Sequence, residues 1–425
     1  MKYITTLFSL ILLPILAQAQ TVTLDECQRL AQENYPLIKQ YDLMRQTTDY
    51  SVSNISKGWL PQISAMAQAS YQSDVMTLPD PLQAMLGQQG YDVKGLRKNQ
   101  YRIGIDLNQT IYDGGLISEQ KNVARHEGEV QTAQTTTNLY AIRQRVNDIY
   151  FGILLLEEKI QLNKDLQTLL QSSLDKLHSM LSNGIAMQSD VNTVMAEKLK
   201  AKQQATELTS SRKSLIDMLA VFIGKKITNL TIPQEVKVQT MENNRPELRL
   251  FDTQIELANA QEHLLNARLL PKLSVFAQGY YGYPGYDMFD AMFNRDWKLN
   301  GMIGIRLSWN IGALYTRKND RAKLNTHRGL VESARETFLF NNHLTEIQQT
   351  DGIAKYRQMI KDDQEIVALR SDVRQSAESR LEHGIIDTNN LLQEITRENQ
   401  SRIDLSTHTI LMLKESYDLK YTTNN

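Results

Sequence analysis

The sequence predicts a mixed α+β membrane protein built from one module written twice, each copy holding two bilayer-length strands and one long helical hairpin. Three observations predict it. The chain repeats itself: Asn34-Tyr-Pro36 and Leu60-Pro61-Gln-Ile63-Ser64 recur as Asn244-Arg-Pro246 and Leu270-Pro271-Lys-Leu273-Ser274, at an offset of 210. Ile103-Gly104-Ile105 recurs as Ile303-Gly304-Ile305, and Gly184-Ile185 as Gly384-Ile385, now at an offset of 200. Four segments alternate between apolar and polar residues, and two proline-free stretches carry helical periodicity. A period of that length is far beyond the roughly 20–50 residues of a solenoid unit, so the copies are duplicated modules.

The first residues, 1–19, read as an export signal. Lys2 opens it, Leu7 to Leu16 is a short apolar run, and Ala17-Gln18-Ala19 is a cleavage site. That run is too short for a membrane helix, which needs about 20 apolar residues. The whole chain carries 47 basic and 48 acidic residues. Loss of Lys2 with the signal leaves 46 against 48, a net charge of −2. That balance gives no footprint for nucleic acid. The single cysteine, Cys27, sits behind Asp25 and Glu26, which is wrong for a lipid-anchor site. It reads as a buried helix residue, and one cysteine allows no intrachain disulfide.

The first repeat spans 20–224 and the second 244–425, with a linker at 225–243 that holds Pro233. A helix leads into each first strand, over Leu24–Gly58 and Arg245–Leu269. The strands are expected at about 62–71, 101–111, 272–281 and 302–311. In all four the odd positions are apolar (Ile63, Ile103, Ile105, Val275, Ile303, Ile305) and the even ones mostly polar. Period two puts these sets on opposite faces, and about ten residues is the length of a tilted transmembrane strand. The charged even positions Arg102, Asp106, Lys272 and Arg306 then face a wet lumen, because a charge on a lipid face costs about 2–4 kcal/mol at the midplane. Four strands cannot close a barrel, and open edges are not tolerated in lipid. The chain must pool strands with copies of itself, most economically by cyclic symmetry. The polar loops Gln72–Asn99 and Gly282–Lys298 are placed outside the cell.

After each second strand comes a long helix, from Leu116 to about Leu181 and from about Arg317 to Leu381. In the first, Leu139, Ile142, Val146, Ile149, Ile153, Leu156 and Ile160 step by three and four, a heptad seam. At about 1.5 Å per residue such a helix is on the order of 100 Å long. Each ends at a Gly-Ile turn, with Gly184 and Gly384 as left-handed caps. Ser189 and Thr388 are the expected N-caps of the returning helices. Those helices run to about Phe222-Ile223-Gly224 and about Tyr421.

No catalytic constellation stands out. The seven histidines are scattered, with no pair at metal-ligand spacing. Ser173-Leu-Asp-Lys176 and Ser210-Ser-Arg-Lys213 match a short catalytic pattern that is common by chance in helices. There is no phosphate-binding glycine loop, so any energy source lies in a partner. No cofactor or metal is expected.

The order of these parts resembles the TolC-like family of outer-membrane efflux and secretion channels. The carriers are Thr23-Leu24-Asp25-Glu26 and Asn34-Tyr35-Pro36, Leu60-Pro61 and Leu270-Pro271 before the first strands, Tyr112-Asp113-Gly114-Gly115, and the two Gly-Ile tips. The resemblance implies a homotrimer in outer-membrane lipid, with a twelve-stranded barrel and a periplasmic tunnel of helices. It implies a periplasmic adaptor that links the tunnel to an inner-membrane pump driven by protons or ATP. It places the gate and the docking surface at the tips: Gly184, Ile185, Asp190, Gly384, Ile385, Asp387, Asn390 and Gln393. Asp190 matches the family's first-tip aspartate. Where the family often has a ring of acids held by an arginine, this chain has Asn390 and Gln393, and Ile386 at the arginine position. Asp387, Glu382 and Glu394 are substitutes for that lock, and equally read as solvated surface. The implied function is the exit duct of an efflux pump, with a type I protein-secretion duct as the alternative. A secreted coiled-coil scaffold without a pore would not need four amphipathic, bilayer-length strands.

Overall fold

The computed structural model describes residues 21–236 and 243–424. The export segment expected at 1–19 and the linker residues 237–242 lie outside the described residues. In chain order the elements are β1 (Thr21–Val22), α1 (Leu24–Asn34), a 3-10 turn (Pro36–Ile38), α2 (Lys39–Ser56), β2 (Gln62–Tyr71), α3 (Asp80–Gln88), β3 (Asn99–Tyr112), α4 (Leu116–Ser182) and α5 (Gln188–Ile223). There follow β4 (Asn229–Leu230), α6 (Pro246–Ala267), β5 (Lys272–Tyr283), α7 (Met288–Asn294), β6 (Lys298–Ser308), α8 (Ala313–Glu382) and α9 (Thr388–Thr423). No helix among the described residues is long and apolar enough to cross a membrane.

The chain forms two compact units, each drawing on both repeats. One takes Tyr41–Ala133 and Leu250–Ala334; the other takes the described residues among 21–40, 134–249 and 335–424. The first holds a four-stranded antiparallel sheet in the order β2-β3-β5-β6, so β3 and β5 join the two repeats and β2 and β6 are its edges. Proline is tolerated where a strand starts, and Pro61 and Pro271 stand directly before β2 and β5. The strand-to-helix turn after β3 shows why Asp113-Gly114-Gly115 is needed. The buried Asp113 carboxylate accepts the Gly115 N–H at 2.9 Å and the Ile117 N–H at 2.6 Å, capping α4. Gly114 has φ +71, and a Cβ there would stand 2.5 Å from Leu270 Cβ.

The second unit is helical. α4 and α5 run antiparallel, held by Arg212 Nε to Glu157 Oε1 at 2.9 Å and by a Lys198–Gln171 hydrogen bond. The heptad seam is buried at Leu139, Ile142, Val146, Ile149 and Ile153 and half-buried at Leu156 and Ile160. β1 pairs in parallel with β4, so the linker supplies a strand. The Tyr150 hydroxyl is shared between the Val22 carbonyl at 3.0 Å and the Thr231 carbonyl at 2.6 Å beside that pair. The duplication is visible at the helix ends. Gly224 (φ 69) and Asn424 (φ 54) are both left-handed C-caps. Asn34 Nδ2 donates to the Val221 and Phe222 carbonyls, and the Asn244 N–H donates to Thr423 O. Cys27 is fully buried and free, and burial pushes its thiol up to about 12.

Several expected boundaries are corrected. The single lead-in helix over Leu24–Gly58 is broken at Tyr35–Ile38, because Pro36 has no N–H to continue it. The fourth strand spans Lys298–Ser308 rather than 302–311. Trp309 lies beyond it, and its indole N–H donates to Leu269 O at 2.8 Å. The two loops that join the strands of each pair each contain a short helix, α3 and α7, and share a small core of Leu96, Tyr283, Ala291 and Met292. The N-caps of the returning helices are Met187, two residues before the expected Ser189, and Asp387, one before the expected Thr388.

Candidate functional site

The strand face comes first. Registers between neighbouring strands pair odd with odd and even with even residues, as in Ala65↔Ile105, Ile105↔Gly279 and Val275↔Ile305. The four alternations therefore merge into one apolar face and one polar face. Ile63, Ile103, Ile105, Ile303, Ile305 and Leu307 are all exposed on the apolar side, Ile303 by 76 %. Tyr71, Tyr101, Tyr281 and Trp297 are exposed at one end of the strands, and Trp59, Tyr112 and Trp309 at the other. Apolar bands with aromatic rims are what lipid-facing strands carry.

Arg102, Asp106, Lys272 and Arg306 all fall on the even, polar face. Arg102 Nε donates to Gln68 Oε1 at 2.8 Å on the neighbouring strand. The Arg306 guanidinium lies 4.7 Å from the centroid of the Phe276 ring. Lys272 is exposed, and Asp106 is half-buried with Oδ1 unpartnered. The glycine of each Ile-Gly-Ile motif leaves room for β5, at the Gly279 carbonyl and Tyr280 for Gly104 and at the Phe276 ring for Gly304. A Cβ on Gly104 would meet Tyr280 Cβ at 2.6 Å, and one on Gly304 would meet the Phe276 ring at 2.7 Å.

The hairpin tips come second. Both outgoing helices end in the same turn. Gly184 (φ +74) donates to Leu181 O at 3.0 Å and Ile185 to Met180 O at 2.9 Å; Gly384 (φ +69) donates to Leu381 O at 2.9 Å and Ile385 to Arg380 O at 2.9 Å. This pair of bonds is a Schellman motif, which needs a left-handed residue at the glycine. Ile185 and Ile385 are 64 % and 70 % exposed, and open space surrounds both glycines. Asp190 Oδ2 accepts the Met187 N–H at 2.9 Å, while Asp387 Oδ1 accepts the Asn390 N–H at 2.8 Å. The side chains of Asn390 and Gln393 are exposed. Ile386 packs on an apolar cluster of Leu174, Leu177, Val191, Val194, Leu391 and Ile395, which joins both hairpins.

The alternative lock residues have partners. Glu382 pairs with Lys176 at 2.7 Å, across the two hairpins. That hydrogen bond holds the Glu382 carboxyl below its usual range and pushes the Lys176 ammonium up. Glu394 faces Arg370 at 3.5 Å. One turn on, buried Glu398 is gripped by Arg374 and by Arg402, whose Nη2 lies 2.7 Å away. Sequence reasoning passed over Lys176, Arg374 and Glu398. The i,i+4 pairs Arg374–Glu378 and Glu398–Arg402 were the available signal.

The structure also assembles a group that spacing along the chain could not show. His126 and Glu129 on α4 meet Glu256 on α6, with ligand atoms within 4.8 Å of one another. His126 Nδ1 and Glu129 Oε2 are already 2.9 Å apart in a hydrogen bond. The group is partly exposed, and such clusters are common on helical surfaces without an ion.

Comparison with known proteins follows from this geometry. Residues 28–224 match the family model described as outer membrane efflux protein. No curated protein matches the chain. Among solved structures it is similar to the outer membrane protein VceC from Vibrio cholerae, at 12% identity over 94% of this chain and 94% of that one, with TM-score 0.67. It is similar to the CmeC outer membrane channel of Campylobacter jejuni, at 12% identity over 94% and 85%, TM-score 0.66. It is also similar to the open state of the MtrE outer membrane channel of Neisseria gonorrhoeae, at 13% identity over 95% and 89%, TM-score 0.66. At such identities these likenesses are likenesses of fold.

Proposed function

We propose that the chain is a TolC-like outer-membrane channel protein, three copies of which form the exit duct of a tripartite efflux pump, a reading supported by the family match over residues 28–224 and by the likeness of fold. The observation that carries the reading is the sheet. It has one largely apolar face free of charged residues, two edge strands without partners, and a polar face bearing charge. In lipid such a sheet must pair β2 of one copy with β6 of the next, since an unpaired edge leaves several kcal/mol of unmet hydrogen bonding per group. Three copies give twelve strands, an even number within the range of closed barrels. Arg102, Asp106, Lys272 and Arg306 then line the lumen.

The hairpin tips are the proposed gate and docking surface for a periplasmic adaptor. Ile185 and Ile385 offer paired apolar points there, and Gly184 and Gly384 leave space for close backbone approach. The duct conducts passively, and an inner-membrane pump supplies the energy and chooses the cargo. Fractionation tests this reading. The protein should appear in the outer membrane as a heat-modifiable oligomer, and its deletion should raise retention of an exported dye. A soluble, monomeric periplasmic product would overturn it.

A further inference from the structure

The polar strand face carries an uneven charge. Its charged residues are Arg102, Asp106, Lys272, Lys298 and Arg306, and the apolar face has none. Lys298 forms an ion pair with Asp290 of α7 and is neutralised. Three cations then stand against one carboxylate, Asp106, which leaves two positive charges per chain. Among the described residues no carboxylate pairs with Arg102, Lys272 or Arg306.

The partners these cations do have are neutral. Gln68 holds Arg102, and the Phe276 ring holds Arg306. Such contacts fix a guanidinium in place while leaving its charge uncompensated. The three are also spread along the strands. Arg102 stands in the row of Gly282 and Lys298 near the loops, Arg306 in the row of Ser274, and Lys272 in the row of Ser308 at the opposite end. A passing ion meets positive charge at both ends of the strands, with the single carboxylate Asp106 in the row of Gln278 between them.

We propose that the barrel lumen of this duct is a cationic passage that favours anionic small molecules over cationic ones. The inference rests on the duct reading above, and it names the charge class of cargo that leaves most readily. A lumen lined by one sign of charge concentrates counter-ions and raises their rate of entry. The effect reaches the centre of a wide lumen only when screening is weak. The Debye length is about 8 Å at 0.15 M salt and about 30 Å at 0.01 M.

The test is reversal potential in planar bilayers holding the purified oligomer across a potassium chloride gradient. Chloride should permeate better than potassium at about 0.01 M salt, and the preference should shrink toward about 0.15 M. The combined change Arg102→Gln, Lys272→Gln and Arg306→Gln should lower the chloride-to-potassium ratio at least about twofold at low salt, where screening is weakest. Lys272→Gln alone, at an exposed position, should move it the same way by less, and Asp106→Asn should raise it. Potassium preference in the parent protein, or a ratio unmoved by these changes, overturns the cationic passage while leaving the duct intact. An assembled protein that conducts neither ion overturns the duct reading and the proposal with it.

Discussion

Lys176 Nζ lies 2.7 Å from Glu382 Oε1, and this pair ties the first hairpin to the last residue of α8 in the second. The residues are 206 apart in sequence and each is about half exposed. An exposed pair adds little to global stability, so its consequence is local, at the hairpin tips where the gate is proposed. Lys176→Glu should loosen that mouth and increase open-channel conductance in bilayers. The exchange of both charges, Lys176→Glu with Glu382→Lys, should restore it. Equal conductance in all three proteins would remove this pair from any gating role.

Asp190 and Asp387 perform one task from opposite ends of the same cap. Asp190 reaches back to the N-cap N–H, whereas Asp387 is the N-cap and accepts from the N–H three residues on. Loss of an N-cap side chain costs about 0.5–2 kcal/mol. Asp387→Ala should therefore speed amide hydrogen exchange over residues 388–392, and Asp387→Asn, an equally good cap, should not. Matching exchange in both variants would mean that the carboxylate does something other than capping.

Gly384 combines a φ of +69 with open space where a side chain would go. A residue with a bulky side chain there is strained by roughly 1–2 kcal/mol, while asparagine tolerates the left-handed conformation. Gly384→Trp and Gly384→Asn should both assemble in the outer membrane. Only the tryptophan variant should lose cross-linking to the proposed adaptor. If both crosslink as the parent does, the tip glycine is a turn residue alone.

Much of the fold was legible because two periodicities are fixed by the backbone. Period two sorts the residues of four strands onto two faces, and the glycine-ended helical stretches mark both hairpins. The errors have local physical causes. Alternation runs on through Trp309 and Ile311, past the end of the fourth strand at Ser308; Trp309 instead bonds to Leu269 O. Ser189 and Thr388 are good capping residues, but the Schellman turns at Gly184 and Gly384 let the returning helices start earlier, at Gln188 and Thr388. The Ile-Gly-Ile motif was visible without its reason, since Tyr280 and Phe276 sit on another strand. The Lys176–Glu382 pair and the His126, Glu129 and Glu256 group join helices from different repeats, and no spacing along the chain announces them.

The two faces of the sheet can be told apart by one kind of substitution. Arginine at Ile305 would enter the apolar face, at a cost of about 2–4 kcal/mol near the membrane midplane. Arginine at Gln278, directly across from Asp106 on the polar face, would meet water and a carboxylate. Ile305→Arg should deplete the heat-modifiable oligomer in the outer membrane, and Gln278→Arg should leave it in place. The reverse result would turn the barrel inside out.

Glu398 gives the second hairpin a dependence on acid. Burial works to raise its carboxyl, but the hydrogen bond from Arg402 and the charge of Arg374 outweigh burial, and the group lies below its ordinary value of 4.5. A carboxyl depressed in the fold stabilises it above the unfolded value and loses that contribution as pH falls through the folded one. The packing of α8 against α9 should therefore weaken below about pH 4.5 and stay level above it. Glu415 on α9 acts in the opposite sense. Burial, and then Asp418, push its carboxyl up, so its ionised form opposes folding at neutral pH. Thermal unfolding followed from pH 7 downward reads both groups. Glu398→Gln should flatten the loss of stability on the acid side, and Glu415→Gln should raise the neutral-pH midpoint. An acid limb that persists unchanged in Glu398→Gln would show that other carboxylates set the acid response of this hairpin.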